Sequence, residues 1–515
     1  MTSGILLRGG LVADAIAATT SRADVLIDGG LISGIAAGIE PPPGCAVIGL
    51  AAGSVVCPGF IDAHVHAEGP LLADGRIDGA LAQGVTTLVV GQDGQSWIGA
   101  SPATVQYLNQ YFGPVNGTAD PASVRSVATY HEALRGRLTQ NVAVLASQGT
   151  IRHNVAGLSP APLGRPERAA ARRELENALA DGAVGLSSGL DYLPSRLGGV
   201  EEVAYIARPL AAAGRPYVSH LRGYGHEVTM GLDELVAVGR ATGARVHASH
   251  LWGPAGKIGE SLRAAEAAEV PATFDMYPYR KSSTILAMLI LPADLQTRGP
   301  RHTLAALRDP AQRASLLAGE KLSDAFLSDV YLGRVPAGLA EFAGLPVTEA
   351  ASRSSRPPGE WVLDLLADAD LNVGAHLDRP AFTGAELSWL VSDSRFCGGS
   401  DGIYQGQHPH PRAYGTFARL AKHYLVEGPE RGYQSLARHL AANPADTYGL
   451  HGRGRLAPGM AADISVIGPA GIRDRATYSA PAKLAAGVDL VIVNGTIAWR
   501  GNQAQTAQYP GRLVS

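Results

Sequence analysis

Charge is scarce in this chain. Asp, Glu, Lys and Arg make up 17% of its 515 residues and nearly cancel, leaving a formal net charge of −3. The charged, weakly hydrophobic segments that stay disordered are therefore not expected to dominate. No basic patch or long charge run occurs, which argues against nucleic acid or a membrane surface as partner. Cysteine is rarer still. Cys45, Cys57 and Cys397 are odd in number and widely spaced, which gives neither a disulfide framework nor a zinc knuckle and predicts a reducing compartment. No run of about 18 uncharged apolar residues exists, so no membrane span is expected. The stretch from Met1 to Gly10 lacks the basic start and long apolar core of a signal peptide. The expectation is a cytoplasmic protein acting on a small molecule. Low-complexity tracts and short-period repeats are also missing.

What is present is apolar residue, at 46%, and length enough for one large catalytic domain with a smaller one. The 63 glycines and 33 prolines fit a loop-rich protein. Residues 1–57 read as short strands: Ile5–Val12, Ala23–Asp28, Leu31–Ala37 and Ala46–Leu50, with Asp28-Gly29-Gly30 as a hairpin turn. The far end repeats the style in Ala462–Ile467, Val488–Val493 and Thr496–Arg500, with Asn494-Gly495 as the turn. Neither end has strands enough for a stable sheet alone, so the two are expected to pair. Between them apolar strand candidates alternate with helical patterns: Val55–His66, Thr86–Val90, Val142–Ser147, Val184–Ser187, Tyr217–His220, Val246–His250, Ala272–Met276 and Phe396–Asp401. Eight such strands predict an α/β fold, a (β/α)8 TIM-like barrel. The expected division is a small β-sandwich from 1–57 and 440–515, a barrel from 58–285 and 371–439, and an inserted segment, 286–370. The insertion follows from spacing. His220 and His250 are 30 positions apart, one β/α unit, whereas Asp275 and Asp401 are 126 apart. Within it Pro310–Leu317 and Glu360–Asp368 are expected helices. A lid over the site is one reading; a packing or oligomer-forming arm is the other.

The chain is organised around Pro58-Gly59-Phe60-Ile61-Asp62-Ala63-His64-Val65-His66. Alternate side chains on a strand share a face, so His64 and His66 are expected to point the same way and form half of a metal site. Other polar residues fall at the ends of predicted strands: Asp93, His220, His250 and Asp401. Strand ends carry the chemistry in this architecture. These imidazoles and carboxylates suit one or two divalent ions, zinc first and another divalent metal second. An ion so held lowers the pKa of bound water and polarises a carbonyl. Asp401, in Gly399-Ser400-Asp401-Gly402, is placed to ligate, to accept the water proton and to return it to a leaving nitrogen. Tyr192 follows the fourth strand, either as a hydrogen-bond donor to the reacting carbonyl or as a loop aromatic. His247 stands an odd number of positions before His250 and reads as structural. His408 and His410 read as residues of the pocket mouth.

Several motifs resemble those of the amidohydrolase superfamily, specifically the N-acyl-D-amino-acid deacylases. They are the His64-Val65-His66 segment, Gln83-Gly84-Val85-Thr86-Thr87, Gly185-Leu186-Ser187-Ser188-Gly189-Leu190, Ser219-His220-Leu221-Arg222 and Ala248-Ser249-His250. They continue in Tyr277-Pro278-Tyr279, Gly399-Ser400-Asp401-Gly402, the run His410–Phe417, and Gly454–Asp463. The resemblance implies a zinc-dependent barrel hydrolase that cleaves N-acyl-D-amino acids. It also implies one metal position at His64, His66 and Asp401 and another at His220 and His250.

The chain departs from that pattern in three places. Asp93, in Gly91-Gln92-Asp93-Gly94, stands where the family carries a ligating cysteine. A carboxylate is a harder ligand that can bridge two ions; alternatively Asp93 accepts a hydrogen bond from a ligand histidine. Trp252 stands where a lysine usually meets the substrate carboxylate, leaving Arg222, Tyr279 and Arg412 as candidate anchors beside Trp252 itself. Gln148 replaces a histidine. Two rival functions remain. A cyclic-amide hydrolase of the hydantoinase kind would need a carboxylated lysine, and no lysine stands at a suitable strand end. A binding protein on a hydrolase scaffold is the other.

Overall fold

The computed structural model describes residues 4–15, 21–378, 382–426, 432–505 and 508–515; Met1, Thr2 and Ser3 of the N-terminal stretch lie outside them. The chain folds as α/β. Eight parallel strand segments carry the centre: Phe60–Asp62, Val85–Val90, Asn141–Val144 continuing as Ala146–Ser147, Leu186–Gly189, Tyr217–His220, Val246–Ala248, Ala272–Met276 and Phe396–Gly398. They are called the first to the eighth strand below. Each pairs with the next, from the first to the third and on from the third to the eighth. The eighth returns to the first, where the Ala63 amide donates to the Gly398 carbonyl at 3.0 Å and the Asp401 amide to the His64 carbonyl at 2.8 Å. Val85–Val90 is buried on both faces, as parallel strands covered by helices are.

The covering helices follow the helical period. In Val228–Thr242 the buried residues are Val228, Gly231, Leu232, Leu235, Val238 and Gly239, one stripe at intervals of three and four. The helix stops at Gly243, whose φ of 75° is the left-handed cap that glycine adopts at least cost. Truncating Leu235 to Ala in that stripe costs about 2–5 kcal/mol.

Strands from both chain ends share a second sheet. Ile464–Ile467 pairs antiparallel with Val55–Pro58, which runs parallel to Ile5–Val12; Ser21–Asp28 and Leu31–Ala36 extend one side, Val488–Val493 and Thr496–Arg500 the other. The expected single strand Val55–His66 is thus three pieces. Val55–Pro58 belongs to the end sheet, Phe60–Asp62 to the parallel series, and Val65–His66 pairs with Gly402–Ile403. Gly59 is the crossing point; a Cβ there would lie 2.3 Å from Thr86.

Between the seventh and eighth strands lies a segment with its own core, including Leu307, Leu327, Leu332, Val347, Leu363 and Leu366. Its sheet has Gly374–Leu377 in the middle, flanked by Ser282–Ile285 and Val330–Arg334. Two of these strands fall outside 286–370, because Ser282–Ile285 and Gly374–Leu377 pair with each other at the segment's base. Its helices include Pro310–Leu317, capped by the Asp309 carboxylate on the Gln312 amide, and Pro358–Asp368. No helix among the described residues is long and apolar enough to cross a membrane.

Candidate metal centre

Asp62 builds the first half of the site. It ends the first strand, fully buried, and turns its carboxylate sideways. Oδ1 accepts the Ser400 amide at 2.8 Å and the His64 amide at 3.3 Å; Oδ2 accepts the Ser400 hydroxyl at 2.5 Å. Burial pushes its pKa up to about 7 against these bonds. The His64–His66 segment and the Ser400–Asp401 turn are therefore laced side by side. His64 Nε2 and His66 Nε2 lie 3.6 and 3.4 Å from Asp401 Oδ1.

The second strand delivers Asp93. Gly91, with φ 85°, turns the chain where a Cβ would sit 2.3 Å from the Leu145 carbonyl oxygen. The Glu68 carboxylate accepts the Gly91 amide at 3.0 Å, and Ser187 Oγ accepts the Gly94 amide at 3.0 Å. Between these clamps Asp93 reaches four imidazoles: His64 at 3.6 Å, His66 at 3.5 Å, His220 at 3.8 Å and His250 at 3.7 Å. His220 Nδ1 and His250 Nε2 are 3.0 Å apart. Asp93, His250 and Asp401 all have left-handed backbones, with φ of 56°, 35° and 47°. Each costs of order 1 kcal/mol or more, and such strain clusters at functional sites. His250 and Asp401 were expected within strands; the strands end at Ala248 and Gly398, and the turns after them aim the side chains.

Ligating atoms of His64, His66, Asp93 and Asp401 lie within 4.8 Å of one another, as do those of Asp93, His220 and His250. Asp93 belongs to both groups. His64 Nε2 and Asp93 Oδ1 are buried with no hydrogen-bond partner among the described residues, a state that costs about 1–3 kcal/mol per group unless something else satisfies it. The donor set is imidazole nitrogen and carboxylate oxygen, which suits a divalent ion such as zinc. The residues fit one or two such ions.

The Asp93 and Asp401 carboxylates favour positive charge between them, the charge a bound cation would carry in place of a proton on His66. Burial opposes charge on His66, yet the Asp401 and Asp93 carboxylates lift it to about 10. Burial pushes Asp93 up, but His64, His250, His66 and His220 hold it well below the usual carboxylate range. Asp401 is pushed up by burial and drawn below that range by the Arg412 guanidinium and then His66.

Outer partners face the remaining ring nitrogens. Asp275 Oδ2 lies 3.4 Å from His64 Nδ1, Asn116 Oδ1 3.2 Å from His66 Nδ1, and Asp191 Oδ2 3.6 Å from His220 Nε2. Such partners fix ring orientation at metal sites. His247, read as structural, lies 2.9 Å from Asp275 through Nε2, and Asp275 Oδ1 accepts the His250 amide at 2.9 Å. The sequence reading missed Asp275, Asn116 and Asp191. Asp275 left a signal, a lone acid inside the apolar strand Ala272–Met276; Asn116 ends the short helix Gly113–Asn116 and Asp191 lies in a turn, and neither left one.

The proposed substrate residues divide. Tyr192 packs its ring 4.7 Å from His220 and places its hydroxyl 3.2 Å from Thr284 Oγ1 of the inserted segment. Burial, then Asp93, push its pKa well above the usual tyrosine value, so it is a neutral donor. Arg412 is buried, with Nη1 2.8 Å from Asp401 Oδ2 and its guanidinium 4.5 Å from the Tyr277 ring centroid. Trp252 stacks on Tyr224 at 5.9 Å, and Tyr224 lies 5.2 Å from His220 and 5.3 Å from His250. Arg222 and Tyr279 are not brought into the cluster. Arg222 is engaged by Glu234 at 3.0 Å and by the carbonyls of Arg196 and Gly198. Tyr279 donates to Asp474 at 2.8 Å. His408 sets Nε2 2.6 Å from the Tyr478 carbonyl, and His410 is fully buried. Two cavities flank the cluster. One of about 600 Å3 is lined by Tyr111, Asp191, Arg196 and Met288. The other, of about 940 Å3, is lined by Tyr224, Trp252, Arg280, Phe382 and Leu387.

The chain is 30% identical to N-acyl-D-glutamate deacylase of Alcaligenes xylosoxydans xylosoxydans, over 99% of this chain and 96% of that protein. A crystal structure of N-acyl-D-glutamate deacylase from Bordetella bronchiseptica, with zinc and a phosphonate inhibitor, is 28% identical; it superposes with a TM-score of 0.80 over 99% of each chain. A D-aminoacylase structure described by its binuclear metal centre is 27% identical, with a TM-score of 0.80 over 99% of each. L-hydantoinase from Arthrobacter aurescens, 13% identical with a TM-score of 0.59 over 100% of each chain, shares the fold. Residues 51–498 match the model of the amidohydrolase family, and with this match and the full-length relatives beside the paired metal clusters, the chain belongs to that family.

Proposed function

We propose that this amidohydrolase cleaves the linear amide of an N-acyl-D-amino acid, in a (β/α)8 barrel flanked by a β-sandwich from both chain ends and covered by the inserted segment as a lid. The observation that carries the reading is Asp401. One of its oxygens faces His64 and His66 and the other faces Arg412. His64, His66, Asp93 and Asp401 would hold one divalent ion and Asp93, His220 and His250 a second, and ions bound there would supply a nucleophilic water and polarise the carbonyl. Zinc is the first choice of metal.

Asp401 is ionised at neutral pH and accepts the proton of the attacking water, then returns it to the departing nitrogen. Tyr192 donates its hydroxyl hydrogen to the carbonyl oxygen as charge develops there. Arg412 binds the substrate carboxylate, its planar fork suited to that group. Trp252 and Tyr224 form an apolar wall beside His220 and His250, in place of a cationic anchor. The inserted segment excludes water while Thr284 keeps the Tyr192 hydroxyl aimed. Two of the relatives are named for N-acyl-D-glutamate deacylation, which favours the D-amino-acid class here. A cyclic-amide reading has less support, since the L-hydantoinase structure is 13% identical with a TM-score of 0.59, against 28% and 0.80 for the N-acyl-D-glutamate deacylase. Unpaired Cys45, Cys57 and Cys397 suit a cytoplasmic location.

The test is a panel of N-acyl-D-amino acids, their L-enantiomers, dipeptides and cyclic imides, run on protein of measured metal content. Turnover of N-acyl-D-amino acids is expected. Turnover of imides alone would overturn the reading.

A further inference from the structure

The starts of the fifth and sixth strands border a cavity of about 650 Å3, away from the metal cluster. Arg215 stands two residues before Tyr217, and Arg245 one residue before Val246; His220 and His250 lie at or beyond the other ends of those strands. A four-residue strand spans roughly 13 Å, so this cavity is separate from the catalytic rim. Its other wall runs from Asp446 to Met460. Met460 accepts the Ile32 amide at 2.9 Å, which ties that wall to the end sheet.

Arg215, Arg245, Arg453 and Arg455 line the cavity, and Asp446 is the one acid among its described lining residues. Two of the arginines are neutralised. Arg455 pairs with Asp446 at 2.6 Å and also feels Asp14; Arg453 pairs with buried Asp463. The other two are not. Arg215 Nη1 donates to the Tyr448 and Gly449 carbonyls at 2.8 and 3.3 Å, and Arg245 Nη1 to the Asp446 carbonyl. Neither meets a carboxylate among the described residues. Arg215 is partly buried, and burial together with the Arg245 charge holds it below the usual arginine value. Two cations of this kind facing one cavity repel each other unless an anion lies between them.

We propose that this cavity binds a small oxyanion of charge −2 or greater, of phosphate or carboxylate type, between Arg215 and Arg245. One guanidinium nitrogen of each is committed to a backbone carbonyl, which fixes the group in place. The remaining N–H donors form the planar fork that matches two oxygens of a carboxylate or phosphate. The occupant joins the strand starts to the Asn443–Tyr448 helix and the end sheet, so its effect is on stability.

The experiment titrates metal-loaded protein with pyrophosphate in one arm and malonate in the other, at constant ionic strength. Binding is followed by calorimetry and by thermal unfolding. Saturable binding with a raised Tm is expected for at least one probe, and the arm with the tighter binding names the chemistry. Affinity should fall at least about tenfold in the R215Q/R245Q double variant, with metal content unchanged. Chelation at the metal cluster contributes equally to both proteins, so the difference reports this cavity. Equal affinity in the two proteins, or no saturable binding of either probe, overturns the proposal. Should the double variant not fold, Arg245→Lys keeps the charge and loses the fork: weakened binding supports the site and unchanged binding overturns it.

Discussion

Arg412 Nη1 lies 2.8 Å from Asp401 Oδ2, and both side chains are almost wholly buried. The pair adjoins the candidate ligand cluster, because Asp401 Oδ1 faces His64 and His66. Burial pushes the Asp401 pKa up, and Arg412 contributes most among the groups that draw it below the usual carboxylate range.

Replacing Arg412 by Met removes the charge that draws Asp401 below its ordinary range. The carboxylate then titrates higher, so activity is lost at higher pH on the acid side. The acid limb of the kcat/KM profile should move up, and KM for a carboxylate-bearing substrate should rise. Removing one partner of a buried ion pair also costs up to about 3–5 kcal/mol of stability, less here because His64 and His66 still face Asp401, visible as a lower urea midpoint. An unmoved acid limb would mean that Arg412 does not govern Asp401.

Asp401→Asn keeps the shape and loses the base. Turnover should fall by about 10²–10⁴-fold, with circular dichroism unchanged. Retention of more than a tenth of the wild-type kcat would exclude Asp401 from proton transfer.

Asp275 supports two candidate ligands at once, His64 through Oδ2 and the His250 backbone through Oδ1. Asp275→Asn should weaken metal binding by about 10–100-fold, read by competition with a coloured chelator. Asn116→Ala, which frees only His66, should do less. Wild-type affinity in Asp275→Asn would make Asp275 a purely structural residue.

His376 fastens the inserted segment. Its ring lies 3.0 Å from Ser283 Oγ and 2.9 Å from the His408 carbonyl. Burial lowers its pKa from 6.5 to about 4. The folded protein therefore holds His376 neutral where the unfolded chain would protonate it. The stability this confers is complete above the unfolded value and is lost as pH falls from there towards about 4, by roughly 3 kcal/mol. Urea midpoints across that window should fall less in His376→Gln than in wild type. Parallel curves would remove His376 from the acid response.

Much of the site was legible because its chemistry is short-range in sequence. The two histidines of His64-Val65-His66 share a direction, although not for the reason that alternation gives. His64 lies in a bend beyond the first strand, and Asp62 with Ser400 sets the geometry. His250 and Asp401 lie past their strands in left-handed turns, which a two-residue period cannot foresee. Arg222 follows His220 closely in sequence but is drawn away by Glu234, a contact that depends on how a helix packs. Asn116 meets His66 from 50 residues downstream, carried there by the last turn of the short helix Gly113–Asn116, whose packing no local pattern foretells. Strand and helix extents were readable where periodicity was strong, as in Ile5–Val12, Tyr217–His220 and Pro310–Leu317.

The most direct test is anomalous diffraction from crystals grown with zinc, recorded on both sides of the metal edge. Two peaks are expected, one among His64, His66, Asp93 and Asp401 and one among Asp93, His220 and His250, with Asp93 touching both. A map with no peak at either cluster, or with zinc bound only elsewhere, would contradict the account.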